Sequence, residues 1–278
     1  MILVFGANGQ LGRALAVLPG ITALTRAQAD LRDAGACAAV IADMRPDAVI
    51  NAAAFTHVDA AQDAPDLAMA INARAPAAMA RACAGLGVPL VHVSTEYVFD
   101  GAGAAAYAPD SPTGPLNIYG VTKLAGEDAV RAACGVHAVL RTSWVFSEHG
   151  ANFVTTMLRL GRGGAALNVV DDQIGGPTFA GDLALACVRI ARALIADPAK
   201  SGTYHYAGAP DIARADFARA VFTLAGLEVT VRGIASADYR VPAARPLNSR
   251  LDCGATMQVF GLARPDWHTG LAQVTGRL

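Results

Sequence analysis

The chain has 278 residues, a formal net charge of −1, 54% hydrophobic and 16% charged residues. That length suits one large α/β domain with a smaller partner, and the near-neutral balance offers no basic field for nucleic acid and no polybasic tail for a membrane surface. No apolar run approaches the roughly 18 residues of a membrane span. Cys37, Cys83, Cys134, Cys187 and Cys253 are far apart and form no C-x-x-C pair, so they read as reduced thiols of a cytoplasmic protein rather than disulfides or a zinc site.

Ile2-Leu-Val-Phe5 is a short apolar run that passes into Gly6-Ala-Asn-Gly9-Gln10-Leu11-Gly12, and the following Arg13 to Leu18 is helical in composition. It lacks a basic leader segment and reads as a strand. Strand, glycine turn and helix in that order predict a dinucleotide site, because glycines let the backbone turn sharply and approach a pyrophosphate at the helix start. The second strand, Ile21 to Leu24, ends in Thr25-Arg26 where an acid would suit the ribose diol of NAD. A guanidinium and a hydroxyl suit a 2′-phosphate, so the expected cofactor is NADPH, with NADH a possible substitute. Asp30-Leu31 follows, and Asp30 either holds an adenine edge or caps a helix over 33–43.

Pro46 to Ile50 reads as the third strand, and Asn51-Ala-Ala53-Ala54 supplies small residues where a cofactor can lie close. A single long helix is expected over 65–83, carrying Asn72. Val88 to Val93 is a further strand with Ser94-Thr95-Glu96-Tyr97 at its carboxyl end, where ligands bind in such sheets. Then comes Tyr119-Gly-Val-Thr-Lys123. Residues four apart share a helix face, so a phenol and an ammonium lie side by side. The cation is expected to lower the Tyr119 pKa and make it a better proton donor to a ketone oxygen. Thr95 nearby would help hold that oxygen.

In the second half, a helix is expected over 152–160, a strand over 167–170, a turn at 175–178, a strongly apolar helix over 182–196, a strand over 203–206 that returns to the main sheet, and a helix over 211–224. Arg240, Arg245 and Arg250 suit a nucleotide diphosphate through bidentate bonds, or pair with local acids, as Arg250 would with Asp252. His57, His92, His137, His149, His205 and His268 show no ligand spacing and read as packed or solvated.

Together these segments resemble the extended short-chain dehydrogenase/reductases, and within them the dTDP-4-dehydrorhamnose reductase family. The match lies in Ser94-Thr-Glu-Tyr-Val-Phe-Asp-Gly101, Pro115 to Glu127, Leu140-Arg-Thr-Ser-Trp-Val-Phe146, Asp171-Asp-Gln-Ile-Gly-Gly-Pro-Thr178 and Arg245-Pro-Leu-Asn-Ser-Arg-Leu-Asp252, and extends from residue 1 to Trp267. The resemblance implies a Rossmann-type doubly wound parallel sheet over 1–150, with parts of 165–208 returning to it, and a smaller C-terminal α/β substrate-binding part over 151–278. It implies NADPH-dependent reduction of the 4-keto group of dTDP-4-dehydro-6-deoxy-L-mannose, with Tyr119 as proton donor, Lys123 on the nicotinamide ribose and Thr95 on the sugar oxygen. By position, Gly9-Gln10-Leu11 meet the pyrophosphate, Asp30-Leu31 the adenine side, Ala54-Phe55-Thr56 the rest of the cofactor, and Thr95, Glu96 and Trp144 the deoxysugar. Two departures stand out. The family usually carries Asp after the catalytic Thr, where this chain has Glu96. Some relatives are described as dimerising through acidic, metal-binding residues on the first helix, whereas Arg13-Ala14-Leu15 offers no carboxylate; no metal, and a monomer or weak homodimer, are expected. A sugar-nucleotide 4-epimerase of the same superfamily, and a non-catalytic subunit like the regulatory subunit of methionine adenosyltransferase, are the alternatives.

Overall fold

The computed structural model describes residues 1–133, 135–164 and 166–278, so Cys134 lies outside the described residues. In its first half the apolar runs pair as parallel strands joined by helices. These are β1 (Ile2–Phe5), α1 (Gln10–Ala16), β2 (Ile21–Leu24), α2 (Ala34–Met44), β3 (Ala48–Asn51), α3 (Val58–Asp63), α4 (Pro65–Met69), α5 (Ala75–Leu86), β4 (Leu90–Thr95), α6 (Ile118–Ala132) and β5 (His137–Thr142). β1 and β3 are buried along their whole length, as strands covered by helices on both faces must be. The second half contributes β6 (Val145–Phe146), α7 (Phe153–Gly161), β7 (Leu167–Val170), β8 (Ile174–Gly175), β9 (Thr178–Phe179), α8 (Ala180–Ala196), β10 (Gly202–His205), β11 (Ile212–Ala213), α9 (Arg214–Leu224), β12 (Val231–Ile234), β13 (Asn248–Ser249), α10 (Gly254–Phe260) and α11 (Trp267–Thr275).

The main sheet has six strands in the order β10-β5-β4-β3-β1-β2, all parallel. The order in which strands are added reverses between β1 and β3, which opens a crevice at the carboxyl edge of the sheet. One face packs on α1 and α8, with Leu15, Leu183, Cys187 and Ile190 at its centre. The other packs on α2 and α5, with Cys37, Ile41, Met79 and Cys83. A separate core gathers α7, α9 and α11 around Phe146, Phe217 and Trp267. Of the 165–208 stretch, α8 and β10 join the main sheet, but β7 pairs with β12 in a ribbon of its own.

Several boundaries differ from the sequence reading for identifiable reasons. α1 starts at Gln10 rather than Arg13, because Gly12 packs inside the first turn: a Cβ there would meet the Gly6 carbonyl oxygen at 1.9 Å. The cap of α2 is Asp33, whose carboxylate accepts from Ala36 N, and not Asp30. The helix expected over 65–83 is three pieces, α4, a π turn at Ala70–Arg74, and α5. Pro76 has no N–H for the carbonyl of Asn72 and its ring crowds that oxygen, so the backbone widens there. α9 begins at Arg214 rather than Asp211, because Ile212–Ala213 is taken by antiparallel pairing with β8. The turn at 175–178 also carries β8 and β9 pairings.

Candidate active site

Three elements meet at the carboxyl end of β4. β4 itself ends at Thr95. A 3-10 turn, Glu96–Val98, follows at once, and α6 stands against it. α6 is started by Asn117, whose side chain accepts from Gly120 N at 2.9 Å. Gly120 is required for the approach: a Cβ would lie 2.2 Å from the Tyr97 carbonyl oxygen. The close contact brings the Tyr119 ring edge-on to Tyr97, centroids 5.4 Å apart, and sets the Tyr119 hydroxyl facing Thr95. Thr95, Tyr119 and Lys123 are thus gathered in one place.

The electrostatics run opposite to the expectation for Tyr119. Burial, and next the charge of Glu96, push its pKa above the usual phenol range, while the Thr95 hydrogen bond pulls weakly the other way. Lys123 does not act on it, because the ammonium turns to β4 and donates to the Val93 carbonyl at 2.7 Å. Spacing alone placed the two groups on one face but could not say where Nζ points. Tyr119 is therefore neutral and keeps its proton near about pH 7. Lys123 is 2% exposed, and burial lowers its pKa to about 8 against the opposing pull of Glu127. One of its three N–H groups is spent on Val93, so the others suit a pair of ribose hydroxyls.

On the cofactor side, Gly6 turns at φ +98° and a Cβ would strike Ala53 at 2.9 Å, so β1 and the loop after β3 close together only with glycine here. A Cβ at Gly9 would meet nothing nearer than 3.5 Å, which leaves a cradle over the turn. Gln10 is tied down: Nε2 donates to the Val145 carbonyl and Oε1 accepts from Ser147 Oγ. Leu11 and Leu31 are core side chains, so only their backbone faces a cofactor. Asp30 is claimed by Arg32, which donates to it through Nε at 2.8 Å and Nη2 at 2.5 Å. Arg26 is exposed and has no hydrogen-bond or ion-pair partner among the described residues, as a phosphate ligand would be. Ala53, Ala54 and Phe55 are half-buried and Thr56 exposed along the crevice. Asn72, at the π turn, locks this loop to α6: it accepts from Phe55 N at 2.8 Å and donates to Phe55 O and to Thr122 Oγ1.

Beyond Tyr97 opens a cavity of about 930 Å³, lined by residues including Phe153, Gln173, Arg214, Arg240 and Arg245. Trp144, which the cavity's Arg214 covers, sits in the left-handed region at φ +47°, a strained conformation for a bulky residue and one found at functional sites. Arg214 stacks on the Trp144 ring at 3.6 Å and on Phe153 at 4.9 Å. Its guanidinium makes no hydrogen bond or salt bridge among the described residues, and burial lowers its pKa against the charges of Tyr97 and Glu96. The sequence reading missed Arg214; a stacked cation is recognisable only once α9 is placed against Trp144. Of the arginines it did single out, Arg245 pairs with Asp59 at 2.7 Å, Arg240 is exposed on the cavity wall, and Arg250 bonds to Asn248 rather than Asp252. Among the histidines, His92 and His205 are buried; Cys37, Cys83, Cys187 and Cys253 are buried free thiols. Among the described residues no three His, Cys, Asp or Glu side chains cluster as a metal site, and no helix is long and apolar enough to cross a membrane.

The whole chain, residues 1–278, matches the model of the RmlD substrate binding domain family. A dTDP-4-dehydrorhamnose reductase of Sinorhizobium fredii is 42% identical over 96% of this chain and 93% of its own length. One from Escherichia coli is 38% identical over 100% of this chain and 97% of its own. The crystal structure of dTDP-4-dehydrorhamnose reductase from Bacillus anthracis in complex with NADP superposes with a TM-score of 0.91 at 33% identity, covering 100% of this chain and 99% of that one.

Proposed function

As the chain belongs to the RmlD substrate binding domain family, we propose that it reduces the 4-keto group of dTDP-4-dehydro-6-deoxy-L-mannose to give dTDP-L-rhamnose. It is an NADPH-dependent oxidoreductase, like the reductases it resembles. The observation that carries the finer reading is a loaded phenol and a hydroxyl facing each other at the sheet edge, beside a cavity whose Arg214 makes no hydrogen bond or salt bridge through its guanidinium among the described residues.

The residues present fit the cofactor. The glycine cradle, the N–H groups left on Lys123 and the unpaired Arg26 would hold its pyrophosphate, nicotinamide ribose and 2′-phosphate, and bound NADPH would supply the hydride. Tyr119 donates its proton to the sugar oxygen as negative charge develops there, and Thr95 holds the same oxygen in line. With the cofactor in place, the Lys123 ammonium would favour the resulting phenolate. Arg214 binds the diphosphate through charge-assisted bonds, and Trp144 packs on the deoxysugar with the ring face that Arg214 leaves open. The segment 151–278 provides most of this substrate side, and the first 150 residues the cofactor side.

The deciding experiment mixes the purified protein with freshly made dTDP-4-dehydro-6-deoxy-L-mannose and follows NADPH absorbance, then repeats with NADH. Oxidation with formation of dTDP-L-rhamnose, faster with NADPH, is the expected result. Binding of NADPH without turnover would sink the reading and favour a non-catalytic subunit.

A further inference from the structure

The Thr95 hydroxyl has one hydrogen and two lone pairs. Its oxygen accepts from Tyr97 N at 3.2 Å and faces the Tyr119 hydroxyl. Its hydrogen goes to Glu96 Oε2 at 2.8 Å. An ionised carboxylate only accepts, so while Glu96 is charged Thr95 has no hydrogen left for an incoming ketone. We propose that Glu96 is a positioning residue that must carry its proton in the productive complex: as a carboxylic acid it donates to Thr95 Oγ1 and turns the Thr95 hydrogen toward the substrate oxygen. This rests on the reading that Thr95 and Tyr119 hold that oxygen.

The surroundings of Glu96 suit a proton that comes and goes near neutrality. It is 3% exposed. The groups that face it are Thr95 and Tyr97 from its own turn, Tyr119 from α6 and Arg214 from α9. Arg245 and Asp59 stand further out and act on Tyr97. Burial raises the Glu96 pKa to about 7, against the Thr95 hydrogen bond and the charge of Arg214. An anion bound to Arg214 cancels the one cation that favours the carboxylate. Substrate binding therefore loads Glu96 with its proton and frees Thr95 in the same event. The extra methylene relative to the usual Asp lets the carboxyl fold back onto the hydroxyl of the preceding residue.

The test is a pair of pH profiles of kcat and KM, for the wild type and for Glu96→Gln, whose amide N–H donates to Thr95 at every pH. Wild-type kcat/KM for the sugar is expected to fall about tenfold between about pH 6 and about pH 8, as a group of pKa about 7 in the free enzyme loses its proton, mostly through a rise in KM, with kcat falling only at higher pH because bound substrate holds the proton on Glu96; E96Q is expected to lose both falls. Equal falls in both proteins overturn the proposal. A second readout needs neither the variant nor turnover. The chain has only four glutamates: Glu127 is buried against Arg141, Glu148 bonds to Arg277 and Glu228 is exposed. Carbon-13 labelling of glutamate carboxyls and NMR titration should show one buried acid titrating near neutrality. A Glu96 carboxyl that is already ionised at about pH 6 overturns the proposal even if E96Q fails to fold. Wild type that is inert toward the sugar at every pH would instead overturn the function on which the proposal stands.

Discussion

The sheet side and the cavity side of the site are held in opposite ways. On the sheet side, Thr95 bonds to Glu96 and Tyr97 N, Lys123 bonds to β4 and Tyr119 faces Thr95, and Asn72 ties the cofactor loop to the same helix. On the cavity side, the guanidiniums of Arg214 and Arg240 make no hydrogen bond or salt bridge among the described residues, and Arg214 stacks on two aromatic faces. The first side is set before anything binds, which is what proton transfer in a transition state requires. The second keeps its strongest donors unspent, which is what affinity for a diphosphate requires. The difference teaches that chemistry and binding are separable here, and substitutions should separate them.

The largest effect belongs to the sheet side. Tyr119→Phe should lower kcat about 10²–10⁴-fold, the usual worth of a positioned acid, with dissociation constants for NADPH and the sugar nucleotide close to wild type. Steady-state kinetics and fluorescence titration measure the two together. A large loss of affinity would mean that the phenol is part of the binding half, and the comparison would break.

This side was also the more legible in the sequence. The i,i+4 spacing of Tyr119 and Lys123 and the apolar runs that became β1 to β4 are local signals, and local signals survive folding. What failed was the direction of the Tyr119 pKa, because a spacing does not report burial or where an ammonium points. The π turn at Ala70–Arg74 did have a signal, Pro76 four residues after Asn72, within a segment read as unbroken helix. Arg214 had none. Its role comes from the pairing of β11 with β8 and from Trp144, which lies 70 residues earlier in the chain. The return of β10 to the main sheet was legible from the alternation in Thr203 to Tyr206, whereas the separate β7 and β12 ribbon was not.

Lys123 sharpens the comparison on the side of stability. Its pKa falls from 10.5 to about 8 on burial. A base whose pKa is depressed by folding costs stability at every pH below the folded value, and the cost fades as pH rises toward the unfolded one. About 2.5 units correspond to about 3 kcal/mol. Lys123→Met should therefore stabilise the ligand-free protein at pH 7 by up to about 3 kcal/mol in urea unfolding, with the gain shrinking toward pH 10, while turnover collapses. No gain at neutral pH would show that the ammonium is better solvated than its burial indicates.

Arg214→Gln should strike the other side. Losing charge-assisted bonds worth about 1.5–3 kcal/mol raises KM for the sugar nucleotide about 10–100-fold. NADPH affinity and kcat at saturation should stay near wild type. If kcat fell as far as in Tyr119→Phe, the cation would act on the chemistry, and the two halves would be one.

The smallest effect should come from Asp59→Asn. Asp59 accepts from Arg245 through both oxygens and from Ala243 N, and so fastens the 236–247 strand of chain that walls the cavity to α3. The Arg245 hydrogen bonds hold the Asp59 carboxyl below the usual carboxylate range. That stabilisation is present at neutral pH and lost as pH falls through the lowered pKa. Asp59 is 41% exposed, so solvent screens the pair and its worth is about 1 kcal/mol or less. Asparagine keeps an acceptor for Ala243 N but gives up the charge. If Arg245 is a strut, the wall loosens and KM for the sugar rises about two- to fivefold. If KM falls instead, the released guanidinium has joined Arg214 on the diphosphate, and Asp59 is then what keeps a third cation out of the binding half. Steady-state KM at neutral pH distinguishes these, because the two outcomes differ in sign.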